Sequence, residues 1–335
     1  METLILKDTE QDIKKAGEIL KNGGLIAFPT ETVYGLGANG LDEEAVSKVY
    51  KAKGRPSDNP MILHIAEISE IYDIAEELSE DGRKLVEAFW PGPLTVVVKR
   101  KPIVPDTTTG GLDTVGVRMP SDETARNLIK AAGVPIAAPS ANLSGKPSPT
   151  MAEHVIKDMN GRIDGIICGG KCQVGIESTV VSVVGDTPVI LRPGKITKED
   201  MSKVLGKEVK IDPAIEITNA KETKNHDFKP MAPGMKYRHY APEAEMLVIE
   251  GDEDKVKLEI TKQKESLEKQ GKKVGVIMFG SDNFEVAAHD LFADLRKMDD
   301  ENVDYIIAGA VKSEGLGYAV MNRMLKSAGY NILKV

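Results

Sequence analysis

The chain is poor in the residues that staple, anchor or metallate proteins. Only two of its 335 residues are cysteines, Cys168 and Cys172, with three residues between them. That supports neither a disulfide framework nor a four-ligand zinc site, and it reads as two reduced thiols in an intracellular protein. The five histidines are scattered and no H-E-x-x-H occurs, so no metal site is expected in the chain itself. No G-x-S-x-G elbow is present, which disfavours a serine hydrolase. No run reaches the ~18 apolar residues of a membrane span. The start METLILKDTEQ lacks the basic-then-apolar order of a secretory signal. A cytoplasmic protein without membrane contact is expected. Aromatics make up 4% and net charge is −8, which argues against bare nucleic acid as the main partner. A local basic pocket is compatible with that balance.

What is present fits a folded chain of about two domains: 41% hydrophobic and 29% charged residues. The stretch from Phe28 to His64 organises the rest. An apolar run, Leu25 to Phe28, stops at Pro29 like a short buried strand. A polar, glycine-rich loop is expected next, carrying Thr30, Glu31, Thr32, Tyr34, Gly35 and Gly37. A helix follows, with Asp42, Glu43 and Glu44 in its first turn, an apolar face at Ala45, Val46, Val49 and Tyr50, and Gly54 as its stop. Lys53 and Arg55 crowd its end, and Met61 to Ile65 resumes as a strand containing His64. A strand, loop, helix, basic loop and strand in this order make a plausible anion pocket.

Further on, residues 69–90 are expected as helix, and Thr150 with Glu153 as the capping box of another. Three more clusters fall at the ends of predicted strands, where open α/β sheets place ligand sites. They are Thr114 to Arg118, the loop Ala138 to Ser148 with Ser140, Asn142 and Ser148, and Gly175 to Thr179 followed by Leu191 to Gly194. Strands alternating with helices predict an α/β sheet with some antiparallel pairs. Two nucleotide motifs are false friends. Gly35 to Gly40 fits G-x-G-x-x-G but begins several residues after its strand ends. Gly165 to Lys171 spells G-x-x-x-x-G-K, yet Cys172 stands where a P-loop needs Ser or Thr. The boundaries expected are a domain at 1–206, a Pro-containing aperiodic linker at 207–243, and a βαβ-type domain at 244–335. Within that last domain, strands are expected at 246–249, 273–279 and 305–310 and helices at 252–270 and 316–328, with nothing assigned between 279 and 305.

Six ordered motifs now carry a resemblance. PTETVYGLG (29–37), KAKGRP (51–56), VRMP (117–120), PSANLSG (139–145), ESTVV (177–181) and LRPG (191–194) resemble the YrdC-type L-threonylcarbamoyladenylate synthases. APGMKYRHYAP (232–242) and GLGYAVMNRMLKSA (315–328) resemble the long, two-domain form. The resemblance implies a twisted open mixed sheet with flanking helices and a smaller Rossmann-like C-terminal domain. It implies a nucleotidyltransferase that joins L-threonine, bicarbonate or carbon dioxide, and ATP into threonylcarbamoyl-AMP and pyrophosphate. A separate transferase would then modify the adenosine beside the anticodon of ANN-decoding tRNAs. Residue by residue, it implies threonine contacts at Thr32, His64, Arg118, Ala138 and Ser178, and ATP contacts at Arg55, Asn59, Thr114, Ser140, Ser148 and Arg192. Lys53 and Arg55 match the family's basic K-x-R and are assigned to catalysis; a favourably charged helix C-terminus is a compatible reading. Glu177 receives no role, and Asn142 fits as a brace for its loop. Mg2+ is expected to arrive with ATP. Tyr237, His239 and Tyr240 are candidate lid residues, because linkers rarely mix aromatic and basic side chains so densely. A monomer without direct tRNA binding is expected. Two rivals remain open: a carbamoyl-adenylate-forming module using carbamoyl phosphate, and an RNA-binding module.

Overall fold

The computed structural model describes residues 2–215, 233 and 239–335. Eleven strands form the first sheet: β1 (Leu4–Lys7), β2 (Ile26–Phe28), β3 (Gly35–Asn39), β4 (Ile62–His64), β5 (Leu94–Lys99), β6 (Thr114–Arg118), β7 (Ile136–Ala137), β8 (Gly165–Cys168), β9 (Thr179–Ser182), β10 (Val189–Arg192) and β11 (Lys210–Ile211). Their order is β1-β8-β2-β3-β7-β4-β6-β5-β9-β10-β11, with parallel and antiparallel pairs mixed. Flanking it are α1 (Glu10–Lys21), α2 (Glu43–Lys53), α3 (Ile71–Ile74), α4 (Glu80–Phe89), α5 (Asp106–Thr109), α6 (Glu123–Ala132), α7 (Ala152–Met159) and α8 (Lys198–Leu205). The mixed sheet with flanking helices is the architecture expected from the sequence.

The organising stretch folds largely as its residues dictate. The Asp42 carboxylate accepts the N–H groups of Glu44 and Ala45 at the start of α2, and Gly54 ends it in the left-handed conformation at φ 62°. Three expectations are corrected. Residues 35–39 are not loop but strand β3, antiparallel to β2. The glycines that argued for a loop are there for packing: a Cβ on Gly37 would sit 2.8 Å from Ile136 and 2.9 Å from Phe28. Residues 69–90 are not one helix, because Ala75 turns extended to bridge Arg100 and Ser79 caps a fresh start by accepting the Gly82 N–H. Thr150 and Glu153 form no capping box; Met151 occupies the cap of α7, and the Thr150 N–H donates to His154.

The second domain is a parallel sheet of β12 (Glu245–Glu250), β13 (Val274–Ile277), β14 (Tyr305–Gly309) and β15 (Ile332–Lys334), in the order β13-β14-β12-β15. Its helices are α9 (Glu253–Lys269), α10 (Phe284–Asp300) and α11 (Leu316–Ser327). Sequence reading left α10 unassigned. It docks the second domain against the first. Arg296 on α10 donates to the Pro147 carbonyl at 2.6 Å and pairs with Asp158 at 2.7 Å, all buried. Val33, Val174 and Ile176 of the first domain belong to the second domain's apolar core. Gly175, between two of them, has φ 82°, and a Cβ there would lie 2.4 Å from the Ala288 carbonyl oxygen. Gly175→Ala is therefore expected to wedge α10 off the first domain. We predict a loss of about 1–3 kcal/mol, read as a lowered denaturant midpoint; an unchanged midpoint would show that the seam tolerates separation.

Candidate active site

The chamber lies against one face of the first sheet. Ile62 and His64 alternate onto the same side of β4, and His64 is the register partner of Arg118 on parallel β6. Antiparallel β7 brings Ala138 level with Ile62, and Gly35 bridges Ser140. The site residues gather at strand ends as expected: His64, Arg118 and Arg192 close β4, β6 and β10, Ala138 follows β7, and Ser178 precedes β9. Thr32, Arg55, His64, Arg118, Ala138, Ser140, Ser178 and Arg192 all line this one chamber, with Glu177, Pro233, His239 and Tyr240.

At one end, Arg118 is fixed from two sides. Its Nη2 lies 2.7 Å from Glu31 Oε1, and its Nη1 donates to Thr32 Oγ1 at 3.0 Å. Burial would raise the Glu31 carboxyl, but the Arg118 charge holds it below its usual value. Arg118 Nε is buried with no hydrogen-bond partner among the described residues. His64 Nδ1 lies 3.2 and 3.3 Å from the carbonyls of Ile62 and Ile136. Carbonyls only accept, so Nδ1 carries the proton and Nε2 is the acceptor. Burial, with the Arg118 charge, pushes His64 down to about 3, so the ring is neutral at working pH.

At the other end, Arg192 donates to the Ser178 carbonyl at 3.0 Å and to its hydroxyl at 3.1 Å. Arg55 donates to the Pro60 carbonyl at 3.0 Å. Burial lowers both guanidiniums to about 10, which leaves them charged. The remaining predicted residues do not line the chamber. Lys53 does not reach the chamber: its Nζ is spent on the carbonyls of Ser140 and Asn142, which makes it the brace of that loop. Ser148 gives its hydroxyl to Glu177. Asn59 offers its carbonyl to Tyr50 and Arg55, and Thr114 opens β6 opposite Lys99. Neither lines the chamber. Tyr237 lies outside the described residues.

Two carboxylates escaped assignment. Glu31 sat inside a quoted motif, and its only sequence signal was an acid in an otherwise neutral loop. Glu177 is buried and bound to Arg323 of α11 at 3.0 Å. Arg323 had a clearer signal: a charge in the midst of Ala319, Val320, Met321, Met324 and Leu325, on a helix buried nearly all round.

Residues 18–194 match the family described as Telomere recombination (Sua5, YciO and YrdC), and residues 196–329 match the threonylcarbamoyl-AMP synthase C-terminal domain. A threonylcarbamoyl-AMP synthase of Pyrococcus abyssi is 49% identical over 97% of this chain and 96% of its own. One from Bacillus subtilis is 43% identical, over 98% and 96%. The chain belongs to the threonylcarbamoyl-AMP synthase family. The crystal structure of P. abyssi Sua5 complexed with L-threonine superposes with a TM-score of 0.93 at 48% identity, over 100% of each chain. As a threonylcarbamoyl-AMP synthase family member the chain is an enzyme, a nucleotidyltransferase with a YrdC-like fold. No helix among its described residues is long and apolar enough to cross a membrane.

Three histidines of this synthase are held neutral by burial: His64 at about 3, His154 at about 4 and His239 at about 3. Unfolded, each takes a proton below about pH 6.5. The unfolded chain therefore binds more protons, and each histidine removes stability as pH falls from about 6.5 toward 3–4. His64→Asn keeps a donor for the two carbonyls without a titrating ring. We predict that it flattens the pH 6-to-4 stability slope by about 1.4 kcal/mol per pH unit, one proton's worth, in urea melts. An unaltered slope would mean that His64 is protonated in the fold.

Proposed function

We propose that the chamber joins L-threonine, bicarbonate or carbon dioxide, and ATP, and releases threonylcarbamoyl-AMP and pyrophosphate. One observation carries the reading: Arg118, His64, Thr32 and Ser178 wall the same chamber as Arg55, Ser140 and Arg192. The name of the threonine-bound relative supports the amino-acid half. The threonine carboxylate docks on Arg118, whose planar fork suits two carboxylate oxygens and whose Nε is unspent. Neutral His64 neither repels the threonine ammonium nor competes with Arg118. Thr32, Ser178 and the Ala138 backbone complete that end.

The amine must lose a proton before its lone pair attacks the carbonate carbon. The N–C bond forms and the nitrogen gives up a second proton to leave a carbamate: with bicarbonate a C–O bond breaks and hydroxide carries that proton off as water, and with carbon dioxide it passes to solvent. A carbamate oxygen then attacks the α-phosphorus, and the bond to the bridging oxygen breaks as pyrophosphate leaves. No covalent bond to the protein is needed. Arg55 and Arg192, preorganised on backbone carbonyls, neutralise the charge that develops on the phosphates. Hydroxyls such as that of Ser140 bind phosphate oxygens without a P-loop. Mg2+ would enter on the ATP phosphates. Among the described residues no three His, Cys, Asp or Glu side chains gather to hold a metal, and Glu31 and Glu177 are both ion-paired. The chain's own donors do not fit a resident ion, so no step is routed through one.

The chamber has an accessible volume of about 60 Å³. His239 and Tyr240, at the end of the interdomain segment, are the lid in this reading. The product passes to a separate transferase acting on ANN-decoding tRNAs, in the cytoplasm, with the synthase a monomer that does not itself bind tRNA.

Arg118→Ala alone would strand Glu31 as a buried unpaired charge, so the test removes both charges. Arg118→Met with Glu31→Gln is expected to keep the fold by circular dichroism and lower threonine-dependent pyrophosphate release about 10²-fold or more. In wild type, release should require threonine and bicarbonate together and fall with serine. Retained turnover in the double variant, or release driven by carbamoyl phosphate without threonine, would sink the reading.

A further inference from the structure

The second domain reaches the chamber wall through Arg323. This residue on α11 is 0% exposed, and its Nε donates to Glu177 Oε2 at 3.0 Å. The other Glu177 oxygen accepts the Ser148 hydroxyl. Glu177 lines the chamber next to Ser178, the residue that holds Arg192. One buried carboxylate is therefore held by a guanidinium of the second domain, one residue along the chain from the serine that holds Arg192 of the first. Burial would raise the Glu177 carboxyl, but Arg323 and then Arg192 hold it below its usual value. The Arg323 guanidinium also lies 5.7 Å over the Tyr240 ring, and that ring stacks on Phe292 of α10 at 5.1 Å.

A buried carboxylate takes the nearest cation. Without Arg323, the strongest remaining positive charge acting on Glu177 is that of Arg192, and an internal carboxylate would compete with incoming phosphate for the same guanidinium. We propose that Arg323 is a positioning residue lent by the second domain to the nucleotide end: by holding Glu177, it keeps Arg192 free to bind a phosphate of ATP. This rests on the reading of Arg192 as a phosphate contact. Arg118 is outside the competition, because its counter-ion is Glu31. The effect should therefore fall on ATP and spare threonine.

The test titrates full-length wild type and variants with ATP by calorimetry and measures KM for ATP and for threonine in pyrophosphate release. Arg323→Met should weaken ATP binding about tenfold or more, with KM for threonine changed less than about twofold. Arg323→Lys, which keeps the counter-charge, should stay within about threefold of wild type. Adding Glu177→Gln to Arg323→Met removes the competitor and should restore ATP affinity to within about threefold. A merely structural arginine would not be rescued by that second change. Equal ATP affinity in Arg323→Met, or no rescue by E177Q, overturns the inference while the proposed function stands. Where Arg323→Met fails to fold, the paired variant Arg323→Met with Glu177→Gln, which strands neither charge, decides: it should bind ATP within about threefold of wild type, and weaker binding overturns the inference. A wild type that neither binds nor consumes ATP overturns the proposed function, and this inference with it.

Discussion

The chamber depends on how buried positive charge is held. Arg118, Arg192, Lys53 and Arg323 are buried near one small volume and Arg55 is half-buried beside them, at a cost of several kcal/mol per buried ion unless partners are found. Carboxylates answer only part of it. Glu31 takes Arg118 and Glu177 takes Arg323. The others are satisfied by backbone carbonyls: Pro60 for Arg55, Ser178 for Arg192, Ser140 and Asn142 for Lys53. A carbonyl fills a donor's geometry without cancelling its charge. The guanidiniums of Arg55 and Arg192 are thus fixed in place yet still attract anions, whereas burial drives the Lys53 amine well below its usual value; a site that gathers carboxylate, carbonate and triphosphate requires such charged, fixed donors.

The sheet supplies the placement. Parallel pairing of β4 with β6 sets His64 beside Arg118, and antiparallel β7 returns Ala138 and Ser140 over the same face. Gly37 lets β3 press against β2 and β7, so the loop before it, with Glu31 and Thr32, lies over the Arg118 side chain. Fold and charge are then one problem. Moving β3 outward by a methyl group would move the counter-ion of Arg118.

Much of this was legible in order along the chain. Asp42, the apolar face of α2 and Gly54 announced their helix, because capping and periodicity are local. Thr32, His64, Arg118, Ser178 and Arg192 were found through motifs and do converge. What misled was whatever depends on partners distant in sequence. Gly35 and Gly37 read as loop because glycine marks both turns and close packing, and only Phe28 and Ile136 in place distinguish the two. Lys53 read as catalytic because a lysine's target cannot be seen from its neighbours; its Nζ finds Ser140 and Asn142, nearly ninety residues on. The helix at 284–300 was missed although Ala287, Ala288, Leu291, Phe292 and Leu295 line one side. Its burial is shared between two domains, so its role was not visible from either alone.

The same charge pairing sets how phosphate can be met. Both buried carboxylates near the chamber are already committed to arginines, so neither is available to a metal without releasing a guanidinium. The two glycine-rich runs that mimic phosphate loops are also unavailable. Gly35 to Asn39 is strand β3, paired on both sides, and Gly165 to Cys168 is strand β8 between β1 and β2. Their amide groups are spent on the sheet ladder. Phosphate recognition is left to side chains, chiefly Arg55 and Arg192, whose aim is fixed by contacts from distant segments. A P-loop is built from one continuous segment; this chamber is assembled from loops in both halves of the first domain and braced, through Glu177, by a helix of the second. That difference in wiring gives the second domain a physical route to the nucleotide end of the site, without placing any of its own side chains in the chamber.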